Sequence, residues 1–286
     1  MGGAHEPGSM DGIRVAVAQV GARVGDVEAN LALADRYAAL AAQRGADLAV
    51  FPECFVQGYS VARSVLDQAE ELDGSSVARL SAIAARRRIA IVVGLVERNP
   101  RPGGRPYNTA VLIGCDGRVA GTYRKTHLYE GEHDAFATGD TYPVFQVELA
   151  GGRTLAVGMC ICRDIEFPEV ARLLALGGAQ LICVPSADMD PYRAQQAANL
   201  ASRAIENNLY VALANTVDRR PNVTFFGGSG IAGPDGSVVS AGYLRSRLIV
   251  APLSDAAVEE SGGAGSYLRT RRVSTYRGLL DTGPKD

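Results

Sequence analysis

The chain has no tryptophan, only three histidines, an odd five cysteines and, across 286 residues, no apolar run of membrane-spanning length. Each scarcity excludes something. The longest apolar stretches, such as IAIVVGLV at Ile89 to Val96, fall short of the ~18–20 residues that cross a bilayer, so no transmembrane helix is expected. The cysteines (Cys54, Cys115, Cys160, Cys162, Cys183) lie mostly in strand-like apolar runs. That placement suits free thiols in a reducing cytoplasm better than a disulfide framework. Cys160-x-Cys162 lacks a second pair at zinc-site spacing, so no metal is expected. Charge of either sign is also missing as a surplus: 29 Lys and Arg oppose 31 Asp and Glu, a formal net charge of -2. Nothing in that balance would draw the chain to a phosphate backbone. Nucleic acid and membrane are set aside; a small molecule or another copy of the chain is the expected partner.

What is present is core-forming material, with 47% hydrophobic residues. At this length roughly three quarters of the unfolded chain's surface can be buried. The opening MGGAHEPGSM lacks the basic and then apolar regions of a signal peptide, and residues 1–9 read as a disordered tail or an expression remnant. Beyond it the apolar period alternates. Strand-like IRVAVAQV is followed by helical VEANLALADRYAALAAQRG and then by ADLAVFPE, a β-α-β rhythm. The pattern continues with a helix from about Ser75 to Arg88, strands IAIVVGLVE, YNTAVLIG and RVAGTYRK joined as hairpins, and a helix near Pro168 to Leu176. Strand AQLICVPSA, a helix from about Tyr192 to Asn207, strand LYVALANTV, two strands around the Pro-Asp-Gly turn at Pro234 and one ending near Val250 complete it. No Pro- or Ser-rich linker interrupts, so residues 10–286 are expected as one domain, a β-rich sheet pair with helices outside. Residues 261–286 are glycine-rich, then basic and aromatic, and are expected as an arm laid on a partner subunit, because exposed apolar and aromatic residues need cover.

A cysteine attacks as thiolate and needs a base, a cation or a helix N-terminus beside it. In CICRDIEFPEV the strand pattern ends at Cys162 and Pro168 suits the first turn of a helix. Cys162 is therefore expected at a strand-to-helix bend, where following backbone N–H groups are free to face an oxyanion. Cys160, two residues earlier, is expected inside the strand as a small hydrophobe. The base is open at this point: His127, His133, Lys125 and Glu132 all fall in YRKTHLYEGEHD. Glu53, in AVFPECFVQGY, follows an apolar strand and a proline, surroundings that raise a carboxyl pKa toward the range of a general base.

Taken together and in order, FPECFVQGY, YRKTHLYEGE and GMCICRDIEFPE resemble the three signature blocks of the nitrilase superfamily, the carbon-nitrogen hydrolases. The resemblance extends from IRVAVAQV through RAIENNLYVALANTV to GPDGSVV. It implies a four-layer α-β-β-α sandwich, paired through its helices into a dimer or larger assembly. It also implies that Glu53, Lys125 and Cys162 form a catalytic triad, with Glu132 the additional glutamate many members carry. Lys125 and the backbone N–H of Arg163 are implied as the oxyanion donors, and no metal or organic cofactor is needed. Tyr59, Tyr129, Phe136 and Met189 are candidates for the pocket wall by closeness to the blocks.

True nitrilases carry Trp-Glu after the nucleophile, whereas this chain has Arg163-Asp164, which disfavours nitrile hydrolysis. The segment from Arg163 to Tyr192 is most similar to the amidases that include stereoselective amino-acid amidases and ω-aminoacyl amidases. It departs from their Tyr-Asp and Ala-Asn-Met patterns at Arg163 and Asp188. Asp188 would favour a cationic amide bearing an amino or guanidino group. Arg163 would oppose it by attracting carboxylates, or pair with Asp188 or Asp164. Arg203 and Glu206 are placed to hold their helix against the active-site loops. The expected activity is hydrolysis of a small primary carboxamide to acid and ammonia through a cysteine thioester. N-carbamoyl-amide hydrolysis and acyl transfer are alternatives within the superfamily, and a silent oligomeric scaffold is disfavoured because all three triad positions are filled.

Overall fold

The computed structural model describes residues 8–262 and 266–281. Fourteen strands run in chain order as β1 Arg14–Gln19, β2 Leu48–Val50, β3 Ala90–Glu97, β4 Tyr107–Ile113, β5 Val119–Arg124, β6 Val144–Glu148 and β7 Thr154–Met159. They continue as β8 Leu181–Ser186, β9 Tyr210–Asn215, β10 Val217–Arg220, β11 Val223–Phe226, β12 Gly230–Ala232, β13 Val238–Ser240 and β14 Arg247–Pro252. Four long helices, α1 Val27–Gln43, α2 Ser75–Arg87, α3 Pro168–Leu176 and α4 Arg193–Asn207, lie between them.

Two six-stranded sheets result, ordered β14-β1-β2-β3-β4-β5 and β13-β12-β9-β8-β7-β6. In each, three central strands are parallel, β1 to β3 in one and β7 to β9 in the other, and the flanking strands are antiparallel. The period-2 pattern of β1 decides the layering. Val15 and Val17 enter the core shared with Val157, Leu181 and Leu213 of the second sheet, while Ala16 and Ala18 face Leu31, Ala34, Leu80 and Ile83 of α1 and α2. α3 and α4 cover the opposite outer face through Val170, Leu174, Leu200 and Ala204. The architecture is the four-layer α-β-β-α sandwich.

The local signals set several boundaries. Pro168 opens α3 at its first turn, where its missing N–H costs nothing, and the helix ends as Gly178, just past the Gly177 cap, takes a φ of 90° that favours glycine. The structure departs from the sequence reading in three places. The strand before Cys162 ends at Met159, so Cys160 lies just beyond it, buried and bonded through its N–H to the Cys183 carbonyl at 3.2 Å. Strand β6 and the β10-β11 hairpin have no strong period in the sequence and were not expected. Of residues 1–9, read as a tail, 1–7 lie outside the described residues, while Gln180 Nε2 donates to the Gly8 carbonyl and Ser9 Oγ to Asp255. Within 261–286, residues 263–265 and 282–286 lie outside the described residues. The rest of that segment past Gly262 forms short turns at Tyr267–Thr270, Val273–Thr275 and Gly278–Asp281. No helix among the described residues is long and apolar enough to cross a membrane.

Candidate active site

Parallel strands present their carboxyl ends together, and in open α/β sheets ligands bind there. The chain turns after β2, β5, β7 and β8 bring Glu53, Lys125, Cys162 and Asp188 to one place between the sheets. The Glu53 N–H reaches the Ser186 carbonyl at the end of β8 (3.5 Å), and the Lys125 N–H donates to the Asn108 carbonyl of β4 (2.9 Å). Gly94 of β3 lets the Glu53 loop approach: a Cβ there would stand 2.4 Å from the Cys54 nitrogen and 2.7 Å from the Pro52 oxygen. Glycine is required for that contact. Cys54 and Cys162 both hold positive φ, 45° and 48°, conformations that cost a non-glycine residue roughly 1–3 kcal/mol and survive where surrounding contacts over-determine them.

Lys125 is fully buried. Its Nζ donates to Glu53 Oε1 at 2.7 Å and to both oxygens of Glu132, at 3.0 and 2.8 Å. Glu132, in the single-turn helix Glu132–Ala135, also accepts from the Tyr59 hydroxyl at 3.0 Å and the Tyr129 N–H at 2.7 Å. Glu53 Oε1 takes a second bond from Asn108 Nδ2 at 2.7 Å, while its Oε2 is buried with no partner among the described residues. Burial raises the Glu53 pKa to about 7; Lys125 opposes that rise and the Glu132 charge adds to it. Burial works to lower the Lys125 pKa, but Glu53, Cys162 and Glu132 around it outweigh that and push it above the ordinary lysine value, so the ammonium is kept. One cation thus sits between two carboxylates, a buried arrangement held by hydrogen bonds at every polar contact but one.

Cys162 opens a short 3-10 helix, Cys162–Glu166, whose first N–H groups, that of Arg163 among them, have no intrahelical acceptor. Burial raises the thiol pKa, and the Asp188 and Glu53 carboxylates raise it further against Lys125. The thiol donates to Asp188 Oδ1 at 3.3 Å. Asn215 fixes the Asp188 backbone from both sides, accepting from its N–H at 2.8 Å and donating to its carbonyl at 3.1 Å. Burial also raises the Asp188 pKa.

A cavity of about 110 Å³ opens above the thiol, walled by Tyr59, Tyr129, Arg163, Asp188, Met189 and Tyr192, with Glu130 and Glu166 on it as well. Tyr59, Tyr129, Asp188 and Met189 therefore line it. Phe136 does not; it lies just past the one-turn helix in extended conformation and is buried with Cys54, Val96, Leu128 and Ala135. Arg163 pairs with neither Asp188 nor Asp164. Its guanidinium lies 5.5 Å from the Tyr129 ring centre, with no ion pair among the described residues. Arg203 donates to the carbonyls of Ile165 (2.8 Å) and Glu166 (2.9 Å) and pairs with Glu206 (3.1 Å), which ties α4 to the turn carrying Cys162.

Asp164 escaped the sequence reading. Fully buried, it accepts from the Ile161 N–H (2.9 Å) and Tyr123 hydroxyl (2.7 Å) on one oxygen. On the other it meets Thr126 Oγ1, the His127 N–H and His127 Nδ1, each at 2.9 Å. It thereby joins the segment carrying Lys125 to the turn carrying Cys162. His127 stacks on Phe167 at 3.9 Å between ring centres. His133 joins the site only through its backbone, its N–H donating to the Glu130 carbonyl (3.1 Å) while its own carbonyl accepts from Arg105. All five cysteines are free, and among the described residues no group of three or more His, Cys, Asp or Glu is placed to hold a metal.

A buried acid, a buried cation and a strained cysteine at converging strand ends are the equipment of a covalent hydrolase. Residues 14–261 match the carbon-nitrogen hydrolase family, and the chain belongs to it. A protein of Pseudomonas protegens described as a hydrolase in the pqqF 5' region is 40% identical over 270 residues, covering 93% of this chain and 92% of that one. An (R)-stereoselective amidase from a Pseudomonas species is 34% identical over 228 residues, 79% of this chain and 80% of that one. Among solved structures, an amidase from Nesterenkonia sp. superimposes with a TM-score of 0.78 at 32% identity, covering 97% of this chain and 99% of that one. A mutant of that amidase carries the acetamide moiety of fluoroacetamide covalently on its active-site cysteine, and another is in complex with butyramide.

Proposed function

We propose that this protein is an amidase that hydrolyses a small, cationic primary carboxamide to its acid and ammonia through a thioester on Cys162. The observation that carries the reading is Glu53: a buried carboxylate with pKa near 7, one oxygen held by Lys125 and Asn108 and the other unengaged. A base poised near the working pH is what proton transfer in both directions demands. As Cys162 attacks the amide carbon, Glu53 takes the thiol proton, and the charge arriving on oxygen is met by the Lys125 ammonium and the Arg163 backbone N–H. Glu53 returns the proton to the leaving nitrogen, the C–N bond breaks, and ammonia departs. A water that Glu53 deprotonates then attacks the thioester, and the acid and the free thiol are regenerated. Glu132 positions Lys125 and acts through it. The covalent adduct and the butyramide complex of the Nesterenkonia amidase support the cysteine chemistry and the substrate size.

The cavity has room for about four water-sized groups, the bulk of a short amide. Asp188, Glu130 and Glu166 face it against a single guanidinium, Arg163, which supports a substrate carrying positive charge. Assembly into dimers or larger homo-oligomers, with residues 261–286 as an arm on a neighbour, belongs to the same reading. It is supported by exposed Leu173, Leu176 and Ile205 on α3 and α4 and by Tyr267, Val273 and Leu279 beyond them. Ammonia release from a panel of amino-substituted amides, neutral amides, N-carbamoyl compounds and nitriles, run beside Cys162→Ala, tests the function. Cationic amides are expected to turn over fastest and the variant to release nothing. Turnover confined to N-carbamoyl compounds would move the substrate class, and turnover that survives in the variant would remove Cys162 from the mechanism.

A further inference from the structure

Asp188 does more at this site than present charge to a ligand. Its carboxylate touches the nucleophile: Cys162 Sγ donates to Oδ1 at 3.3 Å, and no basic side chain pairs with Asp188 among the described residues. The other charged groups around the thiol are Glu53, Lys125 and Glu132, and those on the cavity are Glu130, Arg163 and Glu166. Lys125 is already held by two carboxylates, and Arg163 leans on Tyr129. Lys125 and the Ser186 hydroxyl therefore offset Asp188 only in part, and an anion beside a thiol disfavours the thiolate. After burial, Asp188 is the largest influence raising the Cys162 pKa.

We infer that the positive group of the substrate arms the nucleophile: in the empty site Asp188 holds the thiol proton and keeps Cys162 unreactive, and an ammonium bound against Asp188 releases it. The inference rests on the cationic-substrate reading and adds a mechanism to it. The exchange balances without any further reagent. The ammonium donates N–H bonds to the Asp188 carboxylate, the S–H loses that acceptor, and the proton passes to Glu53 as sulfur attacks. Because Asp188 contacts the sulfur itself, an ammonium bound to either of its oxygens stands within a few bonds of the reacting carbon. The fitting substrate class is then short amino amides rather than amides aminated at the far end of a long chain. The arrangement spares a reactive thiol from oxidants and electrophiles while no substrate is bound.

The test reads thiol reactivity and needs no turnover. Wild-type protein and Asp188→Asn are treated at pH 8 with methyl vinyl sulfone, which has no amide group, and alkylation of Cys162 is followed by peptide mass spectrometry, with partly exposed Cys115 as internal control. Ethylammonium, which has no amide to hydrolyse, is the cation, and n-propanol is its neutral counterpart. The expected result is that ethylammonium speeds alkylation of wild-type Cys162 about tenfold, the thiolate gained by one unit of pKa, while n-propanol does not. Asp188→Asn should react about tenfold faster than wild type without any addition and should ignore ethylammonium. The inference is overturned if ethylammonium leaves the wild-type rate unchanged or slows it, or if Asp188→Asn reacts no faster than wild type. Hydrolysis of cationic amides with no such acceleration would overturn this inference alone. Acceleration by ethylammonium in an enzyme that hydrolyses only neutral amides would instead overturn the substrate reading.

Discussion

Replacing Asp164 by asparagine tests whether the nucleophile turn is held from the Lys125 side. The carboxylate receives five bonds, and the amide of asparagine reproduces only one of its two oxygens. If that oxygen stays with Thr126 and His127, the new NH2 faces the Tyr123 hydroxyl and the Ile161 N–H. The hydroxyl can rotate to accept; the backbone N–H cannot. One charge-assisted bond worth about 1.5–3 kcal/mol is lost, and a buried N–H is left facing a donor at about 1–3 kcal/mol. Turning the amide over is worse, since two His127 donors then meet the NH2. A loss of about 3–5 kcal/mol in urea unfolding at 25 °C is expected, within the ~5–15 kcal/mol that folded domains possess. Because Ile161 precedes Cys162, kcat should fall about 100-fold, as a displacement of about 1 Å at the reacting atoms entails, with KM changed far less. A variant within 1 kcal/mol of wild type and within about twofold in kcat would refute the reasoning.

Lys125→Met leaves Glu53 and Glu132 facing each other in the interior. Loss of at least about 10³-fold in kcat and about 3–5 kcal/mol in unfolding free energy is expected, measured by ammonia release and urea titration. Gly94→Ala drives a Cβ into the backbone of the Glu53 loop; it should cost about 1–3 kcal/mol and lower kcat more than the fold, since the loop carries the base. The pH profile of kcat/KM on a neutral amide should fall tenfold per unit as pH drops below about 7, because Glu53 must be ionised to accept the thiol proton. A limb near 4.5, the ordinary glutamate value, would show that burial does not tune it. Asp188→Asn should reduce kcat/KM on cationic amides about tenfold or more relative to neutral ones of equal length, in the same ammonia assay.

The groups that meet at the site were legible where chemistry and local pattern coincide. Glu53 ends an apolar strand, and Pro168 marks the helix after Cys162, so their placement at strand ends follows from short-range signals. The apolar run in IRVAVAQV likewise marks a strand, and the fold buries it on both faces, between a sheet and helices. Asp164 was not legible because its partners lie up to 41 residues away and no spacing announces them. Arg163 could be read as a partner for Asp164 or Asp188 from proximity along the chain. The tight turn instead directs its side chain over Tyr129 and commits Asp164 inward. Phe136 misled for a similar reason: nearness to Glu132 in sequence says nothing about where the chain turns once the one-turn helix ends at Ala135. Strand β6 is half-buried at Val144 and Phe145, and of its five residues only Val147 is fully buried, so it lacks the sustained apolar pattern that would mark it.

The most direct measurement is the mass of Cys162 during turnover. An amide substrate is mixed with the enzyme, the reaction is acid-quenched within milliseconds to seconds, and the peptide carrying Cys162 is weighed. The account predicts a transient gain equal to the amide less ammonia, confined to Cys162, and both the adduct and ammonia release absent in Cys162→Ala. Steady ammonia release with no adduct on Cys162, or release that persists in Cys162→Ala, would contradict it.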